Sequence, residues 1–351
     1  MRDVAIVAFA QSDQERRVQD RNEVELLTPV IADVKEQTGM ETADFGFTCS
    51  GSTDYLAGQA FSFVLTLDSV GPWPPISESH VEMDGAWAMY EAWVKIQTGA
   101  IDTALVYAYG KSSPGDLRAV MSRQLDPYYL QPLWPDSVAL AALQARAVLD
   151  SGAETERDWA EVAARNRRNA ESNDHAQLRG SPDPDDLLDD DYVVAPLRRH
   201  ACPPITDGAA AIVIAAEDKA RELSDRPAWI RGLDHRIDAQ SLGVRDLTVS
   251  SSAATAAGKA RVGDRAVDFA ELHAPFAHQE GIVRRAMGLG DDVSINPSGG
   301  AMAANAMMTA GLIRVGEAAT RITNGDGDRA VAHATSGACL QQNLVCVLEG
   351  A

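Results

Sequence analysis

The 351-residue sequence is poor in cysteine, in positive charge and in long apolar runs. Its four cysteines, Cys49, Cys202, Cys339 and Cys346, form no CxxC pair and have no zinc-ligand spacing, which excludes a disulfide framework and predicts no metal site. No stretch approaches the roughly 20 apolar residues of a membrane-spanning helix. The apolar run at residues 4–10 follows an acidic residue, unlike a signal peptide. These absences predict a reduced, soluble protein of the cytoplasm.

Acidic residues outnumber basic ones, 51 against 31, and the formal net charge is −20. A surface this acidic repels phosphate backbones, so nucleic acid and anionic membranes are poor partners. Any phosphate-bearing ligand therefore requires a local basic site, for which Arg198, Arg199 and His200 are weak candidates. Hydrophobic residues make up 45% of the chain, which is enough for a sizeable core.

Short apolar runs of strand length alternate with stretches of helical spacing. Strands are predicted at residues 4–10, 46–48, 103–109, 208–216, 228–233, 269–273, 329–335 and 344–348. Helices are predicted at residues 23–38, 85–98, 137–151, 156–172, 251–260, 280–287 and 301–314. The acidic segment 183–191 favours a solvated loop. The alternation in both halves predicts an α/β protein with largely buried sheets.

Four segments, in this order along the chain, resemble motifs of the thiolase superfamily, in particular its sterol-carrier-protein-type branch of lipid-transfer (aldolase-like) proteins. They are Asp207-Gly-Ala-Ala-Ala, Glu271-Leu-His-Ala-Pro-Phe276, Asn296-Pro-Ser-Gly-Gly300 and Thr335-Ser-Gly-Ala-Cys339. The resemblance covers nearly the whole chain. It implies a thiolase fold, five-layered αβαβα and built from two βαβαβαββ halves with an inserted helical loop domain. The halves are residues 1–110 with 206–225 and residues 226–351, and the insertion is 111–205.

The resemblance also implies ligands and partners. It implies a CoA thioester as substrate, with no covalently bound cofactor. It implies a thiolase-type dimer, either a homodimer or a heterodimer with a thiolase paralogue. A small zinc-ribbon/OB-fold protein is a further candidate partner.

The catalytic positions of the family are degenerate in this sequence. A typical thiolase needs a nucleophilic cysteine at the N-terminus of a buried helix, and that position falls on Glu82. The histidine of the family's GHP motif falls on Ala306, and the cysteine of its CxGG loop falls on Gly337. His273 is the family group that is retained. Standard thiolysis therefore lacks its usual residues.

Two hypotheses for function remain open. In the first, the chain cleaves a carbon–carbon bond of a branched or steroid-like β-hydroxyacyl-CoA by a retro-aldol reaction, with buried Glu82 as base and His273 as oxyanion donor. In the second, the chain is a non-catalytic subunit that pairs with an active thiolase paralogue. A carrier that binds acyl-CoA or sterol without chemistry is a weaker third hypothesis.

Several other residues are weak candidates for binding substrate or CoA. Asp84 either contacts the ligand or satisfies the first-turn amides of a helix. Cys339 is either a displaced proton shuttle or a buried thiol. The remaining candidates lie in two glycine turns that let backbone approach the pocket: Asn296, Gly299, Gly300 and Gly337.

Overall fold

Strands and helices alternate through a computed structural model that describes residues 2–350. Its strands are β1 (Val4–Gln11), β2 (Phe47–Gly51), β3 (Glu78–Val81), β4 (Thr103–Gly110), β5 (Tyr192–Val194), β6 (Leu197–Arg198), β7 (Gly208–Ala216), β8 (Ala228–Ile237), β9 (Phe269–Leu272), β10 (Ser294–Ile295), β11 (Arg329–Ser336) and β12 (Gln342–Glu349). Its helices are α1 (Glu23–Thr38), α2 (Asp54–Ala57), α3 (Ser62–Val70), α4 (Gly85–Gln97), α5 (Leu117–Arg123), α6 (Ser137–Ser151), α7 (Glu156–Asn169), α8 (Pro184–Leu187), α9 (Glu217–Leu223), α10 (Ser251–Lys259), α11 (Ala277–Met287) and α12 (Ala310–Asn324).

The main sheet repeats one topology twice. Its order is β10-β9-β11-β12-β8-β1-β7-β4-β2-β3, so the half β1-β7-β4-β2-β3 corresponds strand by strand to the half β8-β12-β11-β9-β10. The halves meet in a short antiparallel pairing of β1 with β8, where Ala5 faces Trp229 and Ile6 faces Ala228. The order of elements along each half is the expected βαβαβαββ.

The helices and the two halves of the sheet form five layers. Helix α1 packs on β1, β4 and β7 at one outer face, and α10 and α11 pack on β9, β11 and β12 at the other. Between the two halves lie α4 and α12, whose buried residues share one core with both. Strands β4 and β7 are buried along their whole length, as expected of strands covered on both faces. The predicted thiolase fold is confirmed.

Between β4 and β7 the chain leaves the sheet and forms α5–α8 and a two-stranded ribbon of β5 and β6. This loop domain packs against the C-terminal half through α7, whose Trp159 and Ala163 lie in the same core as α10 and α11. The loop prediction for residues 183–191 is wrong in part. Helix α8 forms there because the Asp183 carboxylate accepts the Asp185 N–H and caps it.

The helix predicted at residues 301–314 is also wrong in its first half. A 3₁₀ turn spans Gly300–Met302, and α12 begins only at Ala310. Within the predicted segment, Met308 (φ 71°) has left-handed backbone that an α-helix cannot contain, and Gly299 (φ 103°) and Gly300 (φ 60°) form a turn directly before it. Residues 303–309 are therefore an irregular connection, and part of this connection lines the central cavity.

Among residues 2–350 there is no helix with the length and apolar character needed to cross a bilayer. All four cysteines are free. Within the same residues, no group of His, Cys, Asp and Glu side chains is arranged to hold a metal ion.

Candidate active site

A cavity of about 340 Å³ lies where the two halves meet the loop domain. Its walls include Glu82, Asp84, His273, Gly337 and Cys339, so the fold brings together five of the predicted site residues. The loop domain contributes an apolar wall, which consists of Leu117, Met121, Leu125, Leu130, Leu140 and Ala141. The cavity thus combines a few polar groups with a largely apolar lining, as small-molecule sites do.

Glu82 lies between β3 and α4 and is exposed. The expectation that it is buried is wrong, because α4 begins three residues later and Glu82 stays outside its capped end. Its carboxylate accepts the backbone N–H of Asp54 at 3.1 Å. The Asp54 carboxylate in turn accepts the N–H groups of Phe61 and Ser62. Glu82 therefore presents an oriented carboxylate that is open to both solvent and the cavity.

Asp84 ties together the N-termini of the two central helices. Its Oδ1 accepts the N–H groups of Ala86 in α4 and Leu312 in α12, both at 2.9 Å, and its Oδ2 accepts the Gly311 N–H at 2.8 Å. Burial raises the pKa of Asp84, against the opposing effect of these three N–H groups and of the Arg314 charge. Asp84 therefore has the capping role, extended to a second helix.

His273 follows β9 and is 7% exposed. Its Nδ1 accepts the Thr335 N–H at 3.4 Å, so Nε2 carries the ring proton and donates it to Asn305 Oδ1 at 3.0 Å. Burial, with a smaller contribution from the Arg314 charge, lowers the pKa of His273 to about 4. The imidazole is therefore neutral at physiological pH.

Asn305 is the site residue that sequence reasoning missed. It directly precedes Ala306, the position of the family's absent histidine. The structure places it 5% exposed on the cavity wall, with its side-chain oxygen on His273 Nε2. In the family's GHP motif this position is a glycine. A polar side chain there is the sequence signal that could have identified Asn305.

The loop at residues 336–341 carries Gly337 and Cys339 along the cavity. The Cys339 thiol donates to the Leu140 carbonyl oxygen in α6 at 3.4 Å. Burial raises the pKa of Cys339 to about 11, so it remains a thiol at neutral pH. Arg245 holds the loop by donating to the carbonyl oxygens of Ala338 and Cys339.

Three predicted residues, Asn296, Gly299 and Gly300, lie outside the cavity lining. Asn296 Oδ1 accepts the Leu272 N–H at 2.6 Å, and its Nδ2 donates to Glu280 at 3.2 Å. A Cβ on Gly300 would lie 2.5 Å from Asn296 Nδ2, which explains the glycine there. These three residues shape the turn before the 303–309 connection, which does reach the cavity.

The basic residues at 198–200, the weak candidates for a phosphate site, mostly contact carboxylates of this chain. Arg198 donates to Glu156 Oε2 at 3.0 Å, and His200 is buried beside Asp190. Only Arg199 of this cluster is exposed. The cluster therefore does not form a preassembled anion site.

Comparison with known proteins gives a consistent result. No protein-family profile matches the chain. It is 25% identical to an acetyl-CoA acetyltransferase of Methanothermobacter thermautotrophicus over an alignment of 373 positions, gaps included, which covers 96% of this chain and 95% of the relative. It is 26% identical to the 17-hydroxy-3-oxo-4-pregnene-20-carboxyl-CoA lyase of Mycobacterium tuberculosis over 243 aligned positions, which cover 64% of this chain and 61% of the relative. The solved Ltp2-ChsH2(DUF35) aldolase superposes with a TM-score of 0.81 at 17% identity, which covers 99% of this chain and 97% of that one.

Proposed function

The chain is a member of the thiolase superfamily, and from this premise we propose that it cleaves a carbon–carbon bond of an acyl-CoA thioester by a retro-aldol reaction. One observation carries the proposal. The cavity wall carries an open carboxylate, Glu82, and the neutral His273–Asn305 pair, while its cysteine, Cys339, is a protonated thiol. That set suits proton transfer and enolate binding and does not suit a cysteine acyl-enzyme.

The proposed reaction starts from a β-hydroxyacyl-CoA. Glu82 accepts the proton of the β-hydroxyl, the C–O bond becomes a carbonyl, and the Cα–Cβ electron pair moves into the thioester to give an enolate. An N–H donor of the His273–Asn305 pair holds the enolate oxygen. The proton on Glu82 then returns to Cα. The products are a ketone or aldehyde and a shortened acyl-CoA, and no cofactor is required.

The apolar wall supports a bulky acyl group. Leucines of the loop domain line the cavity together with Met307 and Met308. Methionine side chains adapt to irregular apolar shapes, which suits a branched or steroid-like acyl chain. The name of the mycobacterial relative, a lyase of a pregnene carboxyl-CoA, points the same way.

The test is cleavage by the purified chain of a branched β-hydroxyacyl-CoA, followed by mass spectrometry of the acyl-CoA products. Because Glu82 is exposed, E82Q should leave the fold intact and lower kcat by about 10²–10⁴-fold, the usual contribution of a general base. E41Q, at an 82% exposed carboxylate outside the cavity lining, is the matched control and should retain full activity. Unchanged activity of E82Q would refute the proposal, as would an acyl adduct on Cys339.

A second candidate function is a non-catalytic subunit. It is favoured by Glu82, Ala306 and Gly337, which occupy the three positions where the family carries Cys, His and Cys. Native mass spectrometry of the protein from its own host separates the two functions. A homodimer, or an assembly with only a small zinc-ribbon/OB-fold partner, supports the lyase. The name of the solved Ltp2-ChsH2(DUF35) aldolase, which joins two components, favours an assembly with a partner. A heterodimer with a cysteine-bearing thiolase paralogue supports the subunit.

The proposed site of action is the cytoplasm. The four free cysteines fit that reducing environment. CoA thioesters are the proposed substrates, consistent with the CoA chemistry in the names of the two relatives.

A further inference from the structure

We propose that Asn305 donates the hydrogen bond that holds the thioester oxygen, and that His273 is the positioning residue that orients its amide. This inference rests on the proposed function in taking an acyl-CoA thioester as the ligand. It reassigns the donor role that the resemblance gave to His273.

Both ring nitrogens of His273 are already occupied. Nδ1 accepts the Thr335 N–H at 3.4 Å, and Nε2 donates to Asn305 Oδ1 at 3.0 Å. The backbone donor on Nδ1 fixes the Nε2–H tautomer, because Nδ1 must be unprotonated to accept. The imidazole therefore has no free N–H to offer a ligand.

The Asn305 amide has the opposite character. Its Oδ1 is held by His273, and this assignment leaves the NH₂ group on the other side of the amide. Nδ2 forms no hydrogen bond with any other residue of the described chain, although Asn305 lines the cavity and is 95% buried. Nδ2 itself is not fully buried, so this free donor is open to the cavity, where a ligand oxygen can accept its hydrogen bond.

The backbone of Asn305 is also fixed. Its N–H donates to Thr206 Oγ1 at 3.1 Å, and its carbonyl oxygen accepts the Thr206 N–H at 3.4 Å. Asp207, which follows Thr206 in the chain, accepts the N–H groups of Val18 and Ser113 and so anchors the segment that carries Thr206. The amide is therefore preorganised on both sides, which is what makes a donor effective toward a developing oxyanion.

The test measures binding rather than turnover. Acetyl-CoA and its thioether analogue S-ethyl-CoA differ by the carbonyl oxygen that Asn305 is proposed to hold. Isothermal titration calorimetry gives, for each variant, the ratio of the acetyl-CoA affinity to the S-ethyl-CoA affinity. N305A should lose about tenfold in acetyl-CoA affinity, the loss expected for one hydrogen bond, with S-ethyl-CoA affinity unchanged. H273F, which removes the Nε2–H and keeps a ring, should lower the same ratio through a misoriented amide.

Several outcomes would overturn the assignment. Equal losses for both ligands in N305A would make Asn305 merely structural. A retained or increased affinity of N305A for acetyl-CoA, abolished in N305A/H273F, would make His273 the donor once Asn305 releases it. If the wild-type chain binds acetyl-CoA selectively through Asn305 but cleaves no β-hydroxyacyl-CoA, the proposed function fails while this inference stands. If it binds neither CoA derivative, both fail.

Discussion

Three buried histidines, His273, His278 and His333, should make the protein lose stability in mild acid. Burial lowers the pKa of His273 to about 4 and the pKa values of His278 and His333 to about 3, against roughly 6.5 in an unfolded chain. Between those values the unfolded chain binds protons that the folded chain does not. Full stability is therefore present above about pH 6.5 and is lost as the pH falls toward the folded pKa values.

The size of this loss follows from the pKa gaps. At pH 5, about 1.5 pH units below the unfolded value, each histidine lowers the free energy of unfolding by about 2 kcal/mol, and the three together by about 6 kcal/mol. A typical folded protein has a total of about 5–15 kcal/mol. The three histidines alone should therefore remove a large part of the stability at pH 5.

The assay is urea unfolding at about pH 7.5 and pH 5, which yields the free energy of unfolding at each pH. H333Q keeps an N–H donor toward Asn343 Oδ1, which accepts from His333 at 2.8 Å, and removes the titrating ring. Its acid loss should be smaller than that of the wild type by about 2 kcal/mol. H175Q, at a side chain 41% exposed, is the control and should show the wild-type loss. An H333Q variant with the full wild-type loss would refute the reasoning.

Two further predictions concern the cavity and its supports. D84A removes the acceptor for three buried N–H groups at two helix ends and should lower the free energy of unfolding by about 3–5 kcal/mol; N22A, which removes the exposed cap of α1, should cost about 1 kcal/mol. If denaturant titration shows that D84A lowers the free energy of unfolding no more than N22A does, the conclusion that Asp84 caps both α4 and α12 is wrong. Cys339, whose pKa burial raises to about 11, should react with iodoacetamide at pH 7 more than about 100-fold slower than a free thiol. Rapid alkylation of the folded protein, located by peptide mass spectrometry, would show that a thiolate is present.

Local sequence patterns determined most of the secondary structure and the α/β class, and the family resemblance implied the five-layered arrangement. The continuous apolar runs of β1, β4 and β7 indicated strands buried on both faces, and the structure has them at nearly the predicted bounds. Helix α1 was equally evident from its apolar spacing, and the structure adds a capping box in which Asn22 and Glu25 accept each other's backbone N–H. The resemblance to the thiolase superfamily, carried by motifs in the sequence, placed Glu82 where that family has its nucleophilic cysteine. These features depend on residues that are close together in the chain.

Tertiary structure decided how the site works. The capping of two helices by one carboxylate joins Asp84 to Gly311, 227 residues away. The pairing of His273 with Asn305 spans 32 residues and depends on a connection that sequence patterns predicted to be helical. Whether Glu82 is buried or open depends on where α4 begins relative to the loop domain. Periodicity reports only which residues face the core, whereas hydrogen-bond partners and exposure are set by contacts between distant segments, so only the folded chain determines them.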